Sequence, residues 1–145
     1  MILLDTNVLI RMLVEGTSAA DRVSRWIASG EDLCTSAICW YEFVSGPVDD
    51  EGIALAGAAI ADWAIPFTAD HARESSRLWN ATGRARRMRI DAMVAAASIV
   101  TTAELATENR EDFAPFVSFG LRLNDDLRSG RRGRGIADPR DREVS

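Results

Sequence analysis

The sequence predicts an α/β domain, a parallel sheet sandwiched between helices. Two observations carry this. Short apolar runs (MILL, LCT, IPF, LAT) alternate with segments of helical spacing, and capping residues stand where run gives way to helix.

Residues 1–4 read as a short buried strand that ends abruptly at Asp5. Val8, Leu9, Met12 and Leu13 then repeat at helical intervals. A second helix starts at Ser18, places Val23, Trp26 and Ile27 on one face, and is closed by Gly30. Residues 33–35 form the next strand. Ser36 caps a helix carrying Ile38, Tyr41, Phe43 and Val44, which stops at Gly46-Pro47. Residues 53–63 are alanine-rich and helical, and 65–67 give a third strand. Thr68 caps a long helix over about 69–83, and an alanine-rich helix covers 91–101. Residues 105–107 supply another strand, and 116–119 are read as the last one. From residue 124 the chain turns polar and rich in Arg and Gly, without periodicity. The expected organisation is one domain over 1–123 and a disordered tail over 124–145.

Composition narrows the function. A domain of about 150 residues buries roughly 68–70% of its unfolded surface, enough for a core without disulfides. At 47% hydrophobic and 27% charged, the chain is an ordinary globular one. No run approaches the ~18 apolar residues of a membrane span. An acid stands where a signal peptide carries basic residues, so the expected location is cytoplasmic. Cys34 and Cys39 have no second pair with which to build a zinc site and are expected as buried thiols. His71, the only histidine, is expected at the surface. The net charge is −5 and every cation is arginine, which removes P-loop and Schiff-base lysines.

In an open parallel sheet, ligands bind beyond the C-terminal ends of the strands. Asp5 follows the first strand. Glu42 lies about two turns into the helix after the second, and it is expected to face the sheet. Asp91 opens the alanine-rich helix, and Asp112 follows the strand at 105–107. Taken singly, each is a cap, a solvated helix residue or a turn residue. Together they form a cluster whose mutual repulsion would raise their pKa values. The helix N-terminus at Asp91 offsets only about 0.3–1 kcal/mol of that repulsion. The acid-rich neighbourhood CWYEFV around Glu42 is apolar, where an unpaired acid is costly. A divalent cation resolves the conflict. Oxygen donors with no histidine or cysteine nearby point to Mg²⁺, with Mn²⁺ as the alternative. Thr6 and Asn7 stand where they can orient a water or a phosphate oxygen.

The segments ILLDTNVLI, SAICWYEFVSG, IDAMVAAASIV and LATENREDF, in this order over nearly all of 1–123, resemble the PIN domain, specifically VapC-like toxins. The resemblance implies a Rossmann-like α/β/α sandwich and Mg²⁺- or Mn²⁺-dependent endoribonuclease activity. It further implies a homodimer and a cognate VapB-like antitoxin. Asp5, Glu42 and Asp91 carry over directly as family acids. For the fourth position Asp112 is taken as the carboxylate, with Asn109 as a neutral ligand or supporting donor. The expected metal ligands are thus Asp5, Asp91 and Asp112.

RNA phosphates must be attracted locally, since the protein as a whole is acidic. Arg84, Arg86, Arg87 and Arg89 place a basic rim just before Asp91, and Arg131, Arg132 and Arg134 add cations in the tail. Trp40 is assigned to the core or to a dimer contact. One rival reading is a PIN-like module that binds protein and is catalytically weak, against which the retained acids argue. A haloacid-dehalogenase-type phosphatase needs an acid where Asn7 stands, and the absence of lysine excludes it and receiver domains alike.

Overall fold

The computed structural model describes residues 1–125. Four parallel strands, β1 (Ile2–Leu4), β2 (Leu33–Ser36), β3 (Ala64–Ile65) and β4 (Glu104–Ala106), form a sheet in the order β3-β2-β1-β4. Seven helices surround it: α1 (Thr6–Arg11), α2 (Ser18–Ala28), α3 (Ala37–Val44), α4 (Asp50–Ala59), α5 (Ala69–Ala81), α6 (Arg89–Val100) and α7 (Arg110–Val117).

The central strands β1 and β2 are buried along their whole length, as apolar runs covered on both faces must be. The capping residues act as their chemistry dictates. The Ser36 hydroxyl accepts from the Cys39 amide at 3.0 Å and starts α3. Thr68 starts α5 with a capping box in which the third helical residue is His71. The Thr68 amide donates to His71 Nδ1 at 3.2 Å. That use draws the imidazole inward, so His71 is buried rather than at the surface.

Alanines explain the placement of α6. Ala92, Ala95, Ala96 and Ala97 are buried together with Val94 and Ser98, so this helix is enclosed almost all round. Small side chains let α5, α7 and the sheet approach its backbone closely.

Two strand assignments change. Pro66 ends β3 at Ile65, because proline cannot donate to a sheet ladder. Residues 116–119 are not a strand. Phe116 and Val117 complete α7, a helix that keeps Pro115 inside it, and Phe113 and Phe116 bury their rings in the core. The sheet edge is completed further on. Leu123 bridges Leu105 in parallel, with the Leu105 amide on the Arg122 carbonyl and the Asn124 amide on the Leu105 carbonyl, both at 2.8 Å. Asn124 and Asp125, assigned to the tail, are therefore held against the domain, while 126–145 lie outside the described residues, Arg131, Arg132 and Arg134 among them. No helix among the described residues is long and apolar enough to cross a membrane.

Candidate functional site

The strand order fixes where a site can form. The chain builds β1, β2 and β3 outward in one direction, then returns to lay β4 on the other side of β1. The crevice between the C-terminal ends of β1 and β4 is thus the switch point of the sheet. Leu4 pairs with Ala106, and the next residues, Asp5 and Thr107, meet there.

Asp5 is only 7% exposed, and its carboxylate is surrounded by donors. Oδ1 accepts from the Thr6 amide at 2.8 Å, as the cap of α1, and lies 3.6 Å from the Cys39 thiol. Oδ2 accepts from the Thr107 hydroxyl at 2.7 Å and the Asn7 side-chain amide at 3.4 Å. Burial pushes the Asp5 pKa up, while the donors from Thr107, Thr6 and Cys39 pull against it. Asn7 also bridges the crevice, its Oδ1 accepting from the Glu108 amide at 3.2 Å. The sequence reading placed no cysteine near the acids, and that is corrected: Cys39 touches Asp5. The thiol is fully buried and pushed up to about 12 by burial and by the Asp5 charge, which keeps it protonated and unsuited to bind a soft metal.

Asp91 is the third residue of α6 and half-buried. Its pKa is pushed up to about 6 by burial, then by the charges of Asp112, Asp5 and Glu42, with Arg87 opposing. Four acids from four separate segments therefore share one electrostatic field. Glu42 is raised by burial and by Asp5. It does not face the sheet as expected: Cys39 and Phe43 take the inner face of α3, and Glu42 stands on the exposed side. The apolar-neighbourhood argument for Glu42 fails for that reason. Asp112 is exposed in the first turn of α7. Asn109 is also exposed, and its backbone amide donates to the Thr107 hydroxyl at 3.0 Å.

These residues fit a hard divalent cation by donor chemistry, since carboxylates that raise one another's pKa gain from an added positive charge. Among the described residues, no three acidic, His or Cys side chains close around a common point. The arrangement is an open one, as for Mg²⁺, which is held by one or two carboxylates and keeps waters and substrate phosphates in its shell.

The arginines before Asp91 divide. Arg84 and Arg89 lie over the ring of Trp79, 4.3 and 4.6 Å from its centroid, whereas Arg87 acts on Asp91. Arg86 is exposed in the short 3-10 turn Arg86–Met88. Trp40 is half-buried, its ring 5.4 Å from that of Phe43.

Thr107 and Cys39 were missed by sequence reasoning. A usable signal existed for Thr107, since parallel pairing of LLD with LAT sets it opposite Asp5.

Fold and site together define a Rossmann-like α/β domain with a carboxylate cleft at its switch point. The chain belongs to the PIN domain family, whose profile matches residues 2–115. Solved structures agree. The protein in a toxin–antitoxin complex from Klebsiella pneumoniae is 25% identical with a TM-score of 0.63, covering 79% of this chain and 91% of that one. VapBC2 from Rickettsia felis, bound to a promoter DNA fragment, gives 17% and 0.62 over 86% and 98%. VapBC-1 from nontypeable Haemophilus influenzae gives 16% and 0.64 over 88% and 100%. No curated protein matches the sequence.

Proposed function

We propose that this protein is a Mg²⁺- or Mn²⁺-dependent endoribonuclease and the toxin of a toxin–antitoxin pair. One observation carries the reading: Asp5, Glu42, Asp91 and Asp112 raise or share one another's electrostatic cost at the sheet's switch point. Stability alone gives no reason to gather such charges. The family, and neighbours solved as toxin–antitoxin complexes, support the role.

Asp5, Asp91 and Asp112 would hold the ion, with Asn109 beside them. When bound, the ion supplies activated water and charge neutralisation at a phosphodiester. The chain's own groups do the rest. Thr107, Thr6 and Asn7 fix the Asp5 carboxylate in one orientation. Glu42, exposed on α3, is placed to accept a proton from an attacking water. The arginine-rich segment before Asp91 gives RNA phosphates a local attraction that the acidic body lacks. The protein acts in the cytoplasm as a homodimer, and a VapB-like antitoxin silences it.

Induction of the wild-type gene in bacteria, with mapping of new RNA ends, tests this. Growth arrest with discrete new ends supports the reading. Arrest that persists unchanged in Asp5→Asn, with no new ends, contradicts it and favours a protein-binding module.

A further inference from the structure

The arginines before Asp91 are not equivalent, and Trp79 on α5 makes the difference. The indole N–H donates to the Ala85 carbonyl at 2.9 Å, and the Arg84 amide donates to the Trp79 carbonyl at 3.0 Å. The guanidinium groups of Arg84 and Arg89 stack on the ring, and Arg84 also donates to Asn80 Oδ1. The turn held this way is an unusual one. Gly83 has φ +93° and Arg84 has φ +61°, two consecutive left-handed residues of which only the first is a glycine. A non-glycine residue stays there only where its surroundings over-determine it, as Trp79 does through ring, N–H and carbonyl.

Arg87 escapes this arrangement. It sits inside the 3-10 turn, between Ala85 and Arg89, both of which contact Trp79. Among the described residues its guanidinium makes no hydrogen bond or ion pair, and it is exposed. It stands four residues before Asp91, the spacing that brings side chains together on one helical face. Its charge favours the ionised form of Asp91, which confirms its approach to the cleft. Arg84 or Arg89 would have to leave the Trp79 ring to take up an anion. Arg87 gives up no such contact.

We infer that Arg87 is the phosphate-binding cation of the acidic cleft, and that Trp79 is the positioning residue that presents it. The inference rests on the ribonuclease reading and names the contact by which that site would grip its substrate. A guanidinium suits the task because it pairs with a phosphate through two parallel N–H bonds.

The test is binding of a fluorescent single-stranded RNA to the Asp5→Asn protein in Mg²⁺, over a range of salt. Adding Arg87→Ala should weaken binding about tenfold at low salt and lower the slope of log K against log salt by about 0.7, one phosphate contact on a single strand. Trp79→Leu should give the same defect, and the two together should add little. Arg87→Lys should recover part of the affinity. Arg73→Ala, on the far part of α5, should bind like the parent. Binding within twofold of the parent by Arg87→Ala, with the slope unchanged, overturns the inference and leaves the ribonuclease reading standing. Should Trp79→Leu fail to fold, Trp79→Phe is read instead: it keeps a stacking ring but loses the N–H to Ala85, and parent-level binding there overturns the role of Trp79. An RNA that fails to bind even the parent, from a wild-type protein that cleaves nothing, overturns both readings together.

Discussion

The Thr107 hydroxyl donates to Asp5 Oδ2 at 2.7 Å, joining residues 102 positions apart. The same oxygen accepts from the Asn109 amide, so one buried side chain fixes both the Asp5 carboxylate and the turn that leads to Asp112. Thr107→Val keeps the shape and deletes the donor. A hydrogen bond to a buried charge contributes about 1.5–3 kcal/mol, so urea denaturation at pH 7 should show a loss of that order. Thr107→Ser should restore most of it. Unchanged stability in the valine variant would mean that the contact is incidental.

Asp5→Asn should abolish activity and leave the fold intact. Asparagine caps a helix as well as aspartate does, so the Thr6 amide keeps its acceptor. Removing a charge from a buried, crowded position leaves stability unchanged or raised. Circular dichroism and a thermal melt check this, and an unfolded variant would move Asp5 from the chemistry to the architecture.

Stability of the metal-free protein should fall as pH rises from about 4 to about 6. Asp91 ionises near its ordinary value of 3.8 when unfolded but only near about 6 when folded. Across that window the folded state binds more protons, and stability falls wherever it does. Burial shifts Asp5 and Glu42 in the same direction. Denaturation in chelator at pH 4.5 and pH 7 measures the difference, which Asp91→Asn should reduce. Added Mg²⁺ or Mn²⁺ at pH 7 should raise the melting temperature, because it binds only the folded form.

An antitoxin that inhibits at this cleft should bring its own cation. A guanidinium among Asp5, Glu42 and Asp91 replaces the charge of a metal ion and blocks the path of RNA at once. Tyr41, 72% exposed on the same helix as Glu42, offers an aromatic contact beside it, whereas Phe43 is fully buried and offers none. Alanine substitution of the partner's basic residues, one at a time at matched binding, should include one that releases cleavage. Full inhibition by every variant would mean steric cover or distortion instead.

The sequence made the alternation of strand and helix legible because local signals set it. Ser36 and Thr68 announce helix starts, and the buried strands are apolar throughout. It misled where tertiary packing overrode local preference. Pro115 and the aromatic run beyond it argue against helix, yet Phe113 and Phe116 on one face of α7 bury into the core. The acids could be named because each follows a strand or lies early in a helix. Which way each faces could not: the exposure of Glu42 depends on α3 turning Cys39 and Phe43 inward. The donors around Asp5 were hidden for a similar reason, since Cys39 reads as a core residue until the packing of α1 against α3 sets its thiol against a carboxylate.

The central claim is that these carboxylates cleave RNA with a divalent ion, and single-turnover cleavage by the purified, antitoxin-free protein tests it most directly. With Mg²⁺ or Mn²⁺ the wild type should cut RNA at internal phosphodiesters. Excess EDTA should abolish the activity, Ca²⁺ should not restore it, and Asp91→Asn should lower it by about a hundredfold or more, since it loses a charge the ion requires. Cleavage that continues at full rate in excess chelator, or in Asp91→Asn, would contradict the account.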